Sequence, residues 1–137
     1  MSGPEVRLVA LCDHAIVGQD GKVSLMGIFR TINVSGLPAE HPRMYLVAIL
    51  ALEAGAHSVV VQLHRPDGSP AMPNPPEISV QGAAGQDVNV IVELNKINFG
   101  TYGVHYFSIE VDGGPTGTVA VSIDAMNPPG GQGRRAN

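Results

Sequence analysis

The sequence predicts an antiparallel all-β domain. Three Asp-Gly pairs, Asp20-Gly21, Asp67-Gly68 and Asp112-Gly113, stand between or just after runs of alternating apolar residues. Asp-Gly suits turns that need positive φ, which makes such pairs hairpin signals. No stretch repeats its apolar residues at the spacing of an amphipathic helix.

Residues 6–12 alternate cleanly. Val6, Leu8, Ala10 and Cys12 share one face, and Arg7, Val9, Leu11 and Asp13 share the other. Both faces are mostly apolar, so this strand is expected to be buried. A turn at Gly18 to Gly21 leads into Lys22 to Arg30, which completes a first hairpin. A loop with Gly36, Pro38 and Pro42 follows. Met44 to Leu52 is apolar on both faces. Nine such residues between Pro42 and Gly55 favour a central strand over a buried helix. His57 to His64 alternates again, with Val59, Val61 and Leu63 inward. Arg65-Pro66-Asp67-Gly68 is a turn with proline at its second position.

Residues 66–76 hold five of the eleven prolines. Each proline removes a ladder donor, so this segment is a stiff loop or a crossover between sheets. Glu77 to Gln81 reads as a short edge strand. Val88, Val90, Val92 and Leu94 form one face of the next strand. His105, Phe107, Ile109 and Val111 form one face of another, and Val119, Val121 and Ile123 face inward in the last. Seven to eight strands with turns between them form the pattern of a β-sandwich, with a closed barrel as the alternative. The domain is expected over residues 1–126, followed by a flexible Pro/Gly/Arg tail, 127–137.

Composition narrows the function. Residues 1–126 hold all 12 acidic side chains and six of the eight basic ones, a balance of −6. Non-specific nucleic-acid binding needs a basic footprint, so no nucleic-acid partner is expected. The N-terminus has neither the basic nor the apolar region of a signal peptide. The longest apolar run is too short to span a bilayer, so no membrane span is expected. Cys12 is the single cysteine and has no internal disulfide partner, which points to a cytoplasmic setting.

Candidate chemistry is sparse. Cys12-Asp13-His14 sets a nucleophile, an acid and a base side by side. Adjacent strand side chains point to opposite faces, however, so Cys12 and Asp13 cannot meet there. Cys12 reads as a small core residue. Asp13 and His14 read as the strand's end, with the aspartate bonding turn amides. His14, His41, His57, His64 and His105 show no zinc-ligand spacing. Asp13, Asp20, Asp67, Asp87 and Asp112 are the loop aspartates that calcium would use, but turn chemistry accounts for them singly. No catalytic, cofactor-binding or metal residue is therefore predicted, no cofactor is expected, and the chain is not expected to be an enzyme.

Two segments together carry a family resemblance. Leu11-Cys12-Asp13-His14-Ala15 precedes a turn and Gly21 to Phe29. Phe99-Gly100-Thr101-Tyr102-Gly103 leads into Phe107 to Gly113. This ordering resembles an uncharacterised family of small bacterial proteins with an N-terminal Cys-Asp-His-Ala motif and a late Val-Asp-Gly hairpin. The resemblance covers residue 6 to about 124. It implies an immunoglobulin-like sandwich and no assigned activity. In such folds a tyrosine ties down the corner before the late strand. Here either Tyr102 does so with a kink at Gly103, or His105 takes its place.

Val9 and Leu11, Met26 and Ile28, and Val47 and Ile49 lie on the second faces of their strands. Only one face of each sheet meets the core of a sandwich. The Pro-rich segment 66–76, another copy of the chain or a partner must cover the surplus. The expected function is a non-enzymatic interaction module acting by protein–protein contact, with a protein partner or self-association. The alternative is a module binding calcium or a small ligand with loops at one end.

Overall fold

A computed structural model describes residues 3–126. They form nine strands, and among the described residues there is no helix. The strands are β1 (Glu5–Val17), β2 (Val23–Phe29), β3 (Thr31–Val34), β4 (Ala39–Ala51) and β5 (Gly55–His64), then β6 (Glu77–Gly82), β7 (Asp87–Phe99), β8 (Gly103–Val111) and β9 (Gly114–Ala125). One sheet has the order β2-β1-β4-β7 and the other β3-β9-β8-β5-β6. The all-β reading holds, and Met44 to Ala51 lies in a strand that pairs on both sides, with β1 and β7. The tail proposed for 127–137 lies outside the described residues.

Nine strands replace the expected seven or eight, and the pairing is not wholly antiparallel. β3 runs parallel to β9, Ile32 beside Ile123. Parallel neighbours are not joined by a tight turn, so nothing in the sequence announces them. β4 also starts earlier than expected and contains Pro42. Its pairing with β1 ends at Tyr45, so Pro42 stands where β4 has only β7 beside it. A missing N–H is tolerated at such an edge.

The two sheets face one core. Leu11, Leu46, Leu50 and Phe99 from the first meet Leu63, Phe107, Ile109 and Ile123 from the second, all essentially buried. The β8–β9 hairpin closes through Asp112 and Gly113, with φ of 53° and 81°, and Val111 pairs with Gly114. Positive φ at both central residues defines a type I′ turn, the form Asp-Gly favours. The Pro-rich segment joins β5 to β6 within one sheet, not across two. The Gln62 side-chain amide clasps Met72, donating to its carbonyl at 3.0 Å and accepting from its N–H at 2.9 Å.

Alternation in β1 departs from expectation. Val6 stands opposite Leu50, but Leu8 stands opposite Ile49. The extra residue, Arg7, is a bulge, and a bulge re-aims every side chain beyond it. Val6, Val9 and Leu11 therefore join the core. Leu8, Ala10 and Cys12 turn to the outer face of the four-stranded sheet, beside Tyr45, Val47 and Ile49 of β4.

Candidate functional site

That outer face carries the surplus apolar residues. Met26, Ile28, Val47 and Ile49 lie there as expected, whereas Leu8, Ala10 and Cys12 stand in place of Val9 and Leu11. The Pro-rich segment does not cover it, because Ala71 and Met72 pack against the core instead. Part of the cover comes from the chain's own first hairpin. At the hairpin tip, the Gly21 carbonyl accepts a hydrogen bond from the Asn89 side chain at 3.4 Å. Asn89 is on β7, at the far edge of the sheet from β2. The hairpin thus leans back across the sheet, and Val47 and Cys12 have no exposure.

The cover is incomplete. Leu8 is 40%, Met26 44%, Ile16 52% and Ile28 60% exposed. Ile28 and Met26 belong to β2, which pairs with β1 and with no other strand among the described residues. Val23 to Phe29 contains neither a charge nor a proline, although Lys22 and Arg30 stand at its two ends. Sheet edges are normally blunted by charge, proline, brevity or a kink. β3 is four residues long, β6 opens on Glu77, and β7 carries Glu93 and Lys96. β2 has only Gly27, at φ 71°. A Cβ at Gly27 would strike the Asp13 carboxylate, which occupies the space above it.

The Cys12-Asp13-His14 segment lies within β1. Cys12 is buried as expected, but on the outer face and not in the main core. Burial pushes its thiol pKa up, and the nearby Asp13 charge adds to this. A raised pKa suppresses the nucleophilic thiolate. β1 does not end at Asp13 and His14 but runs on to Val17. The His14 ring lies 6.3 Å from that of Tyr45.

The remaining histidines are dispersed and individually engaged. His41 lies against Phe29, with ring centroids 5.9 Å apart. His105 is buried, bonds the Gly103 carbonyl through Nδ1 at 3.1 Å and meets Phe99 edge-on. Tyr102 is exposed. Among the described residues, no three His, Cys, Asp or Glu side chains gather as a metal-holding group. Asp20 accepts from the Lys22 amide, Asp67 from Ser69, Asp87 from Arg7 and Asp112 from the Ser58 amide.

Two polar pairs escaped sequence reasoning because strand pairing alone brings them together. His57 Nδ1 lies 2.7 Å from the Asp112 carboxylate, and its Nε2 lies 2.7 Å from the Glu53 carbonyl. Both ring nitrogens then face acceptors, which favours the doubly protonated ring. Hydrogen bonding to Asp112, then to Glu53, raises the His57 pKa above its usual 6.5. The Ser58 amide, then His57, lowers that of Asp112 below 3.8. A raised histidine pKa contributes stability that is complete below pH 6.5 and lost as pH rises through the folded value. The lowered aspartate contributes above pH 3.8 and fails as pH falls through its own folded value. Melting temperature is therefore expected to sag at both ends, and His57→Gln to flatten the alkaline limb in thermal scans across pH.

His64 Nε2 lies 2.9 Å from Ser108 Oγ, while Nδ1 lies 3.2 Å from the Gly68 carbonyl. That is the spacing of a base and a nucleophile. Ser108 is only 8% exposed, and Tyr106 stacks on the His64 ring at 4.6 Å. The pair ties the turn after β5 to β8. Among the described residues no helix is long and apolar enough to cross a membrane.

No curated protein matches the chain. Among solved structures, a β-glucosidase from Listeria innocua in complex with glucose is 13% identical with a TM-score of 0.47, covering 69% of this chain and 15% of that one. A β-glucosidase from the same organism in complex with isofagomine is 12% identical, also with a TM-score of 0.47, over 88% of this chain and 16% of that one. The chain thus spans about a sixth of those enzymes' length, and so slight a likeness carries no argument about fold or activity. The family model described as a family of unknown function (DUF6941) matches residues 7–124, nearly the whole of the described domain, and the chain belongs to that family.

Proposed function

We propose that this chain is a non-enzymatic interaction module that acts by protein–protein contact along β2. One observation carries this reading: β2 is an uncharged, proline-free sheet edge with Met26 and Ile28 exposed beside it. An open edge offers main-chain hydrogen bonds to an added strand, and neighbouring apolar side chains supply burial. The absence of charge between Lys22 and Arg30 leaves no built-in obstacle to such pairing.

The immunoglobulin-like assignment belongs to the same reading. The order β9-β8-β5-β6 corresponds to strands G-F-C-C′ of that fold, with β4 and β7 as B and E. A cytoplasmic setting accords with a lone, buried cysteine. The turn and ion-pair partners of Asp20, Asp67, Asp87 and Asp112 favour this reading over a calcium-binding one.

The test compares immobilised wild type with the Met26→Lys/Ile28→Lys double variant in an extract of the source organism. Both positions are exposed, so the variant is expected to keep its melting temperature within a few degrees. Wild type retaining a protein that the folded variant loses supports the reading. Identical retained proteins overturn it.

A further inference from the structure

We infer that the hairpin beyond Cys12, residues 13–27, is a strap that lifts as a unit from the outer face of the four-stranded sheet and bares the Cys12 side chain. This motion is independent of any partner at the free edge of β2. β1 pairs with β4 only as far as Cys12, opposite Tyr45, and from His14 to Val17 it pairs with β2 alone. The two-stranded ribbon then turns back. Its tip meets Asn89, which stands opposite Ile49, four residues along β4 from Tyr45. At about 3.4 Å per residue, the ribbon returns over roughly 13 Å of the sheet it has just left. Cys12 and Val47 lie on the outer face, yet neither has any exposure. The two faces of the ribbon differ to match. Ala15, Val23 and Leu25 are half-buried, whereas Ile16, Ser24 and Met26 on the other face are exposed.

Little holds the strap down. Among the described residues, the tie from its tip to the sheet is the 3.4 Å hydrogen bond that Asn89 donates to the Gly21 carbonyl. The charges at the tip, Asp20 and Lys22, pair with each other and not with the sheet. A pivot stands at the other end. Gly27 lies opposite Asp13 with φ of 71°, and the Asp13 carboxylate fills the space where a Cβ would stand. Lifting the ribbon from that point breaks no strand pairing with β4. Segments with few buried contacts open at a free energy well below that of the whole domain.

Cys12 is the single cysteine, so its reaction with a thiol reagent reads the opening directly. Labelling rates of wild type and Asn89→Ala are measured from native buffer through rising urea and scaled to the rate of the unfolded chain. Wild type is expected to react at least roughly tenfold faster than global unfolding allows, because the strap opens locally. That rate is expected to stay flat across low urea, because lifting the strap exposes little surface. The Leu11 and Cys12 amides are expected to remain protected from hydrogen exchange throughout. Asn89 is exposed, so its variant keeps the fold and the urea midpoint. Asn89→Ala is expected to react about two- to fivefold faster, for the loss of one exposed hydrogen bond. A wild-type rate that climbs with urea in step with global unfolding overturns the inference. So does labelling accompanied by equally fast exchange at Leu11 and Cys12, which would mean that β1 itself unpairs. An Asn89→Ala rate equal to wild type also overturns it, because some other motion would then uncover the thiol.

Discussion

Phe107→Ala is expected to lower the free energy of unfolding by about 3–5 kcal/mol. Phe107 is fully buried on β8, between Leu63 of β5 and Val119 of β9. Removing its ring loses the transfer of a large apolar surface and leaves a cavity that two hydrogen-bonded neighbours cannot collapse to fill. Domains of this size have a total stability of roughly 5–15 kcal/mol, so the variant stands close to the unfolding threshold. The adjacent Tyr106 points out of the sheet and stacks on His64. Tyr106→Ala is therefore expected to cost under about half as much. Urea unfolding of the two variants decides the matter, and a larger loss for Tyr106→Ala would contradict the inward side of β8.

The second large effect lies at the β1 bulge. Leu11→Ala is expected to cost about 2–5 kcal/mol, and Leu8→Ala under about 1.5 kcal/mol. Leu11 has no exposure, while Leu8 is 40% exposed on the outer face. Unbroken alternation from Val6 would give the opposite order, with Leu8 in the core. Equilibrium denaturation of both variants thus reads out the register directly. Comparable losses at the two positions would mean that the slip between Val6 and Leu8 does not exist in solution.

What was legible followed from local chemistry. Asp112-Gly113 marks a hairpin because its own backbone preference selects the turn. Met44 to Leu52 reads as a central strand because it is short, apolar on both faces and bounded by Pro42 and Gly55. The hidden features depend on partners distant in sequence. β3 is a four-residue strand whose neighbour among the described residues is β9, near the other end of the domain. The bulge at Arg7 has no glycine to betray it. It moves Leu11 into the core and Cys12 out, so the burial of Cys12 was readable while its face was not.

The candidate site was half legible for the same reason. Met26, Ile28, Val47 and Ile49 show as surplus apolar residues from alternation alone. Which of them remain exposed depends on the hairpin leaning back to Asn89, a contact that no periodicity encodes. His57 with Asp112 and His64 with Ser108 likewise meet only once β5 lies beside β8.

The account turns on β2 being a free, apolar edge beside β1, which pairs with β2 from Leu11 to Val17 and with β4 from Glu5 to Cys12. Residue-resolved hydrogen exchange in dilute solution tests that most directly. In an antiparallel edge strand, alternate N–H groups point away from the sheet. Alternate amides from Val23 to Phe29 are predicted to exchange quickly, while Leu11 and Cys12 of β1, paired on both sides, remain protected. Uniform protection along β2 in the dilute monomer would contradict the account.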